Sequence, residues 1–116
     1  MMQQPIPTDI KLLQKTRVLE IIFDDSKKFS LPCEYLRVYS PSAEVRGHHG
    51  QDGVLVTDKQ NVNITGIDPI GNYAVRLIFD DGHRTGIYSW ETLYDLGVNQ
   101  EKYWQDYLQR VAQAPN

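Results

Sequence analysis

Cysteine is nearly missing from this chain: Cys33 stands alone among 116 residues. An intramolecular disulfide is excluded, and so are the Cys-rich spacings that hold zinc or iron–sulfur clusters. No apolar run approaches the ~20 residues needed to span a bilayer. Basic residues are the minority charge, with 12 Lys and Arg against 15 Asp and Glu and a net charge of −3. The total therefore argues against nucleic acid, whose phosphates need a basic surface, and against acidic membrane surfaces. The start Met1-Met2-Gln3-Gln4-Pro5 has neither the basic beginning nor the apolar stretch of a secretory signal, so a cytoplasmic location is the expectation. There is no Gly-x-x-x-x-Gly-Lys or Gly-x-Gly-x-x-Gly fingerprint for nucleotides and no serine-nucleophile elbow.

What remains is the composition of an ordinary globular domain, 41% hydrophobic and 23% charged. The length suits one domain with a modest core. Residues 1–8 are polar and carry Pro5 and Pro7; they read as a loose leader, and the domain is assigned to residues 9–113.

Within that domain one phrase is spoken twice. Ile22-Phe23-Asp24-Asp25-Ser26-Lys27-Lys28 recurs as Ile78-Phe79-Asp80-Asp81-Gly82-His83-Arg84. Each copy follows a strand-like apolar run, and each precedes a segment that can open a helix, at Pro32-Cys33-Glu34 and at Ser89-Trp90-Glu91. Asp-Asp-Ser-Lys and Asp-Asp-Gly are turn chemistry. Pro32 suits a first helical turn, Ser89 is a good N-cap, and Gly97 is placed to end the helix that Ser89 opens. Strands are expected at Ile10–Leu13, Val18–Phe23, Val62–Ile67 and Tyr73–Phe79, with a turn over Asp68-Pro69-Ile70-Gly71-Asn72. Asn99 can cap a last helix whose Tyr103, Trp104, Tyr107, Leu108 and Val111 form one apolar stripe. The predicted fold is α+β: antiparallel hairpins forming a small sheet, covered by short helices and a C-terminal amphipathic helix.

Two places carry chemistry-bearing residues. Residues 40–58 form a long, irregular, glycine-rich loop with Glu44, His48 and His49. Adjacent histidines in extended chain point to opposite sides, so at most one faces a site; a solvated loop is the plainer reading. The second hairpin carries Asp80, Asp81 and His83. A turn role explains both aspartates, as the first copy shows, and leaves His83 over. If the loop folds onto the hairpin, His83, His48, Asp81 and Glu44 (with Asp80 or His49 as substitutes) form an imidazole and carboxylate set suited to zinc or ferrous iron. Cys33 reads as a small buried residue, and a helix dipole lowering its thiol pKa is the alternative. The aromatic residues of the last third read as core or as a partner face.

Three stretches together, Leu36-Arg37-Val38-Tyr39-Ser40-Pro41-Ser42-Ala43-Glu44-Val45-Arg46-Gly47-His48, Gly71-Asn72-Tyr73-Ala74-Val75 and Phe79-Asp80-Asp81-Gly82-His83-Arg84-Thr85-Gly86-Ile87-Tyr88-Ser89-Trp90, resemble the gamma-butyrobetaine hydroxylase-like amino-terminal domain family. The resemblance extends over roughly residues 9–111. It implies a domain that, in the hydroxylases, precedes a catalytic double-stranded β-helix using ferrous iron and 2-oxoglutarate, holds a structural zinc through three cysteines and one histidine, and assists dimer contacts. Similar domains occur fused to ATPases with iron–sulfur clusters. The hydroxylase cysteine positions fall near Ser40, Ser42 and Val45, and the hydroxylase histidine resembles His83. One zinc ligand of four is retained. His49-Gly50-Gln51-Asp52 is not the catalytic iron motif, so hydroxylase activity is not carried over and no catalytic residue is assigned.

The expectation is a non-enzymatic accessory domain that binds one iron or zinc ion and a protein partner, either an iron–sulfur carrier or a second copy of the chain, with a link to iron or iron–sulfur metabolism. The alternatives are a dimerisation module without metal and an enzyme acting through the histidine and carboxylate cluster.

Overall fold

The structure is a computed structural model that describes residues 4–42 and 55–114. In chain order these form β1 (Pro7–Leu13), β2 (Val18–Phe23), β3 (Lys28–Pro32), α1 (Cys33–Val38), β4 (Ile64–Ile70), β5 (Ala74–Phe79), β6 (Ile87–Ser89), α2 (Trp90–Val98) and α3 (Gln100–Gln113). The fold is α+β, as the hairpin pattern predicts. The strands do not make one sheet. They divide into two antiparallel three-stranded sheets, ordered β1-β2-β3 and β4-β5-β6. Each half of the repeat is thus a three-stranded meander followed by a helix, and α3 is the element without a counterpart.

The central strands carry the core. Leu19, Ile21 and Phe23 of β2 and Leu77 and Phe79 of β5 are buried, every second residue, because successive side chains on a strand face opposite ways. Leu31, Leu36, Ile64, Leu93 and Leu96 join them in one cluster. Edge positions account for two departures from the sequence reading. Pro7 lies in β1, inside the expected leader, and pairs with Phe23. Pro69 lies within β4, where a turn was expected, and faces Val75. β4 is an edge strand, so the N–H that proline lacks is not needed by a neighbour. The turn falls at residues 71–73, and Gly71 enters it at φ 55°, a conformation glycine adopts without steric cost.

Tyrosine hydroxyls join the halves. Tyr35 of α1 donates to Leu96 O near the end of α2 at 2.7 Å. Tyr88 of β6 donates to Leu36 O near the end of α1 at 2.5 Å. The last carbonyls of a helix have no partner within it, so each bond satisfies an acceptor that burial would otherwise leave exposed to loss. Tyr39 donates to Tyr103 O of α3 at 2.7 Å. The rings pack edge to face around them: Phe23, Phe29 and Tyr94 in one group, Tyr35 with Tyr39 and Trp104 in another.

At the helix ends, Ser89 Oγ accepts from Thr92 N at 3.0 Å, the expected N-cap. Asn99 precedes α3 but makes no side-chain cap there. Its amide instead donates to Asp95 O and Oδ1, closing α2. Gly97 does not end α2, which runs on to Val98. Its role is steric: a Cβ at residue 97 would fall 2.5–2.7 Å from atoms of the Phe29 ring. Glycine at this point lets β3 and α2 approach. Gly97→Ala is therefore expected to destabilise the protein by about 1–3 kcal/mol despite alanine's better helix propensity. Val98→Ala next to it, at a side chain 54% exposed, should stay within about 0.5 kcal/mol. Urea titration followed by circular dichroism measures both.

Candidate functional site

The second hairpin places its residues by turn geometry. Phe79 N donates to His83 O at 3.0 Å and Gly82 N to Phe79 O at 3.2 Å, with Gly82 at φ 92°. Asp81 Oδ1 accepts from His83 N at 3.1 Å, an aspartate turn of the expected kind. The first hairpin does the same atom for atom. Asp25 Oδ1 accepts from Lys27 N at 3.0 Å. Asp24 exchanges bonds with Ile6, through Oδ1 at 3.3 Å and N at 2.8 Å, as Asp80 does with Asn63 at 3.0 and 2.9 Å. The paired aspartates are scaffold in both copies.

The copies differ in what the second aspartate holds with its other oxygen. Asp25 Oδ2 accepts from Tyr94 of α2 at 2.6 Å. Asp81 Oδ2 receives Arg37 Nε of α1 at 2.8 Å and Lys59 Nζ at 2.7 Å. Burial pushes the Asp81 carboxyl up, but the Lys59 ammonium, the His83 N–H and the Arg37 guanidinium outweigh it and hold the pKa at about 2. Arg37 Nη1 is buried with no hydrogen-bond partner among the described residues.

His83 is buried, 7% exposed, and its Nε2 is hydrogen-bonded to Ser40 Oγ at 2.9 Å. Ser40 Oγ also accepts from Ser42 N at 3.3 Å, and Ser42 Oγ lies 2.7 Å from Thr85 Oγ1. The segment after α1 is thus tied to the second hairpin by hydroxyls and one imidazole. Gly86 makes this approach feasible, since a Cβ there would collide with Ser40 Oγ. Sequence reading gave Gly86 and Thr85 no role; nothing in local spacing announces a contact with residues more than forty positions earlier.

Of the four residues expected to bind metal, His83 and Asp81 are brought together, and both are already engaged. Glu44, His48 and His49 lie outside the described residues. Among the described residues no group of three or more His, Cys, Asp and Glu side chains is arranged to hold a metal ion. Cys33 is buried at the start of α1, and burial pushes its thiol above the ordinary range, as a small core residue would show. The exposed concavities lie elsewhere. A groove of about 500 Å³ lies between the start of α1 and the α2–α3 junction, with Glu34, Tyr35, Glu101 and Trp104 in its wall. A second, of about 360 Å³, includes Glu91, Tyr94 and Asp95. Val98 borders both.

Residues 10–94 match the family described as gamma-butyrobetaine hydroxylase-like, N-terminal. The chain belongs to that family. No curated protein matches it. A protein whose solution structure was determined by NMR is similar at 56% identity with a TM-score of 0.80, over 100% of this chain and 90% of that one. A second NMR structure is 41% identical with a TM-score of 0.81, over 96% and 87%. A crystal structure of a protein of unknown function from Acidithiobacillus ferrooxidans, placed in the DUF971 family, is 38% identical with a TM-score of 0.66, over 78% and 91%.

The hydroxylase-type zinc that the family resemblance implies does not fit the residues present. Its three thiolate positions fall near Ser40, Ser42 and Val45, none of them a cysteine, and Val45 lies outside the described residues. Serine hydroxyls stay protonated at neutral pH and are poor zinc ligands. Here they are also spent on His83 and Thr85. The histidine of the family is kept, but in a hydrogen-bonded cluster.

Two predictions follow from this geometry. Ser40→Ala removes the oxygen that both His83 Nε2 and Ser42 N bind, and should cost about 1–3 kcal/mol in urea unfolding. Asp81 is more acidic folded than unfolded, so it stabilises the fold above its unfolded pKa and loses that contribution as pH falls through about 2. Asp81→Asn should lower the urea midpoint at pH 7, and the gap to wild type should narrow steadily from about pH 4 to about pH 2.

Proposed function

We propose that the chain is a non-enzymatic accessory domain that works by docking onto a protein partner. The observation that carries this reading is Val98. This aliphatic side chain is 54% exposed at the ridge between two grooves, one of them walled by Tyr35 and Trp104. An exposed aliphatic residue with a partly exposed tryptophan beside concave walls is the composition of a binding face. The polar groups that would serve chemistry sit elsewhere and are committed to the scaffold: Asp81 to two cations, His83 to Ser40.

A photo-crosslinking residue in place of Val98, expressed in the native host, tests the reading. A discrete adduct of constant mass is expected, weakened by Trp104→Ala and missing when the crosslinker replaces Ile87, which is similarly exposed at 45% on β6. Equal adducts from both positions, or none from residue 98, would count against it.

A second reading keeps one iron or zinc ion at His83, with His48 and Glu44 as further ligands and a link to iron or iron–sulfur metabolism. It is supported by Ser40 and Ser42, which lead the chain from their contacts with His83 and Thr85 directly into the segment carrying Glu44 and His48. Protein purified without chelator should then hold close to one equivalent of metal, and His83→Ala should lose it; metal-free protein whose melting temperature ignores added iron and zinc rejects this second reading.

A further inference from the structure

We propose that the two grooves meeting at Val98 receive a basic, amphipathic segment of a partner protein, with an arginine or lysine beside an aliphatic residue. The inference rests on the partner-docking reading above and adds the partner's chemistry. It comes from the charge of the walls. Glu34 and Glu101 line one groove and Glu91 and Asp95 the other, and among the described residues neither lining contains a Lys or Arg.

Among the described residues these four carboxylates have no Lys or Arg partner. Glu34 has no ion-pair or hydrogen-bond partner among the described residues, yet it is half-buried, and that burial alone pushes its carboxyl upward. A cation brought beside it would restore the solvation that burial removes. Glu101 is exposed in the first turn of α3, likewise with no ion-pair or hydrogen-bond partner among the described residues. Among the described residues Asp95 accepts from the neutral donors Asn99 and Tyr103 and has no ion-pair partner. Arg110 of α3 is paired to Asp106 and set over the Tyr39 ring.

The apolar part of the segment is specified as well. Val98 offers an exposed aliphatic contact between the acidic walls. Trp104, stacked on Tyr107 with centroids 5.1 Å apart and edge-on to Tyr35 at 6.2 Å, is held in place by its neighbours. A guanidinium set between Glu34 and the Trp104 ring would gain both an ion pair and a cation–π contact. A partner of the opposite charge would meet four carboxylates, and like charges brought together oppose association.

The test uses the full ¹⁵N-labelled chain and two probes, acetyl-Leu-Arg-Leu-amide and acetyl-Leu-Glu-Leu-amide. The arginine peptide should bind weakly, with a Kd of about 1 mM, moving amide resonances of residues 33–35 and 97–105. The glutamate peptide should not move them. Glu34→Gln combined with Glu101→Gln should weaken the arginine peptide about fivefold or more, with the remaining spectrum unchanged. Equal shifts from both peptides, shifts confined to other residues, or no shifts at about 10 mM would overturn the proposal. So would a concentration-dependent doubling of mass in light scattering that Val98→Asp abolishes, because the face would then be occupied by a second copy. A discrete adduct from residue 98 without peptide binding would leave the docking reading standing and reject the basic chemistry alone.

Discussion

A tyrosine hydroxyl bonded to a buried helix carbonyl is the contact on which the two halves of this domain depend. Tyr35 reaches from the first half to the end of α2, and Tyr88 reaches from the second half to the end of α1. Neither half offers the other a continuous sheet, since the strands pair only within their own meander. What crosses between them is apolar burial, these two bonds, and hairpin contacts such as Asp25 with Tyr94, Arg37 with Asp81 and Ser40 with His83. Hydrophobic burial is non-directional; the hydroxyls add direction and fix how one half is set against the other. Burial pushes both phenols well above their ordinary pKa, so they remain donors throughout the physiological range.

The duplicated hairpins show how one turn design serves two ends. In each, the first aspartate closes the strand ladder and the second shapes the turn. The oxygen left over is where the copies part. In the first it holds a tyrosine of α2; in the second it draws an arginine and a lysine together, with His83 pinned to the segment after α1. That segment leads toward residues 43–54. The second hairpin thus bonds described residues on either side of residues 43–54, Ser40 and Ser42 before them and Lys59 after them.

The family resemblance implies that a thiolate-bound zinc makes this connection. Here hydroxyls and an imidazole make it. The exchange has a physical consequence: hydrogen bonds of this kind need no deprotonated sulfur and do not depend on metal supply, but each contributes only about 1 kcal/mol net. The anchor is spread over Ser40, Ser42, His83 and Thr85 instead of resting on one ion. The grooves bordered by Val98, proposed above as a docking face, have none of these four residues in their linings.

The strands, hairpins and helices were legible in the residues because each follows from a local rule: alternation in β2 and β5, aspartate and glycine at the turns, serine before α2. The family was legible too, from three stretches taken together. Local rules misplaced Pro69 and Gly97. Proline punctuates a turn in isolation, but an edge strand asks nothing of its missing N–H. Glycine ends helices in isolation, but Phe29 of a distant strand occupies the space beside residue 97. Likewise, the sequence by itself determined that His83 was the unexplained member of the second turn. Only the tertiary structure decided that Ser40 would bond it, that Gly86 would make room, and that two acid-lined grooves would share Val98. Those pairings join residues tens of positions apart, and their cost and gain are set by burial, which no local pattern encodes.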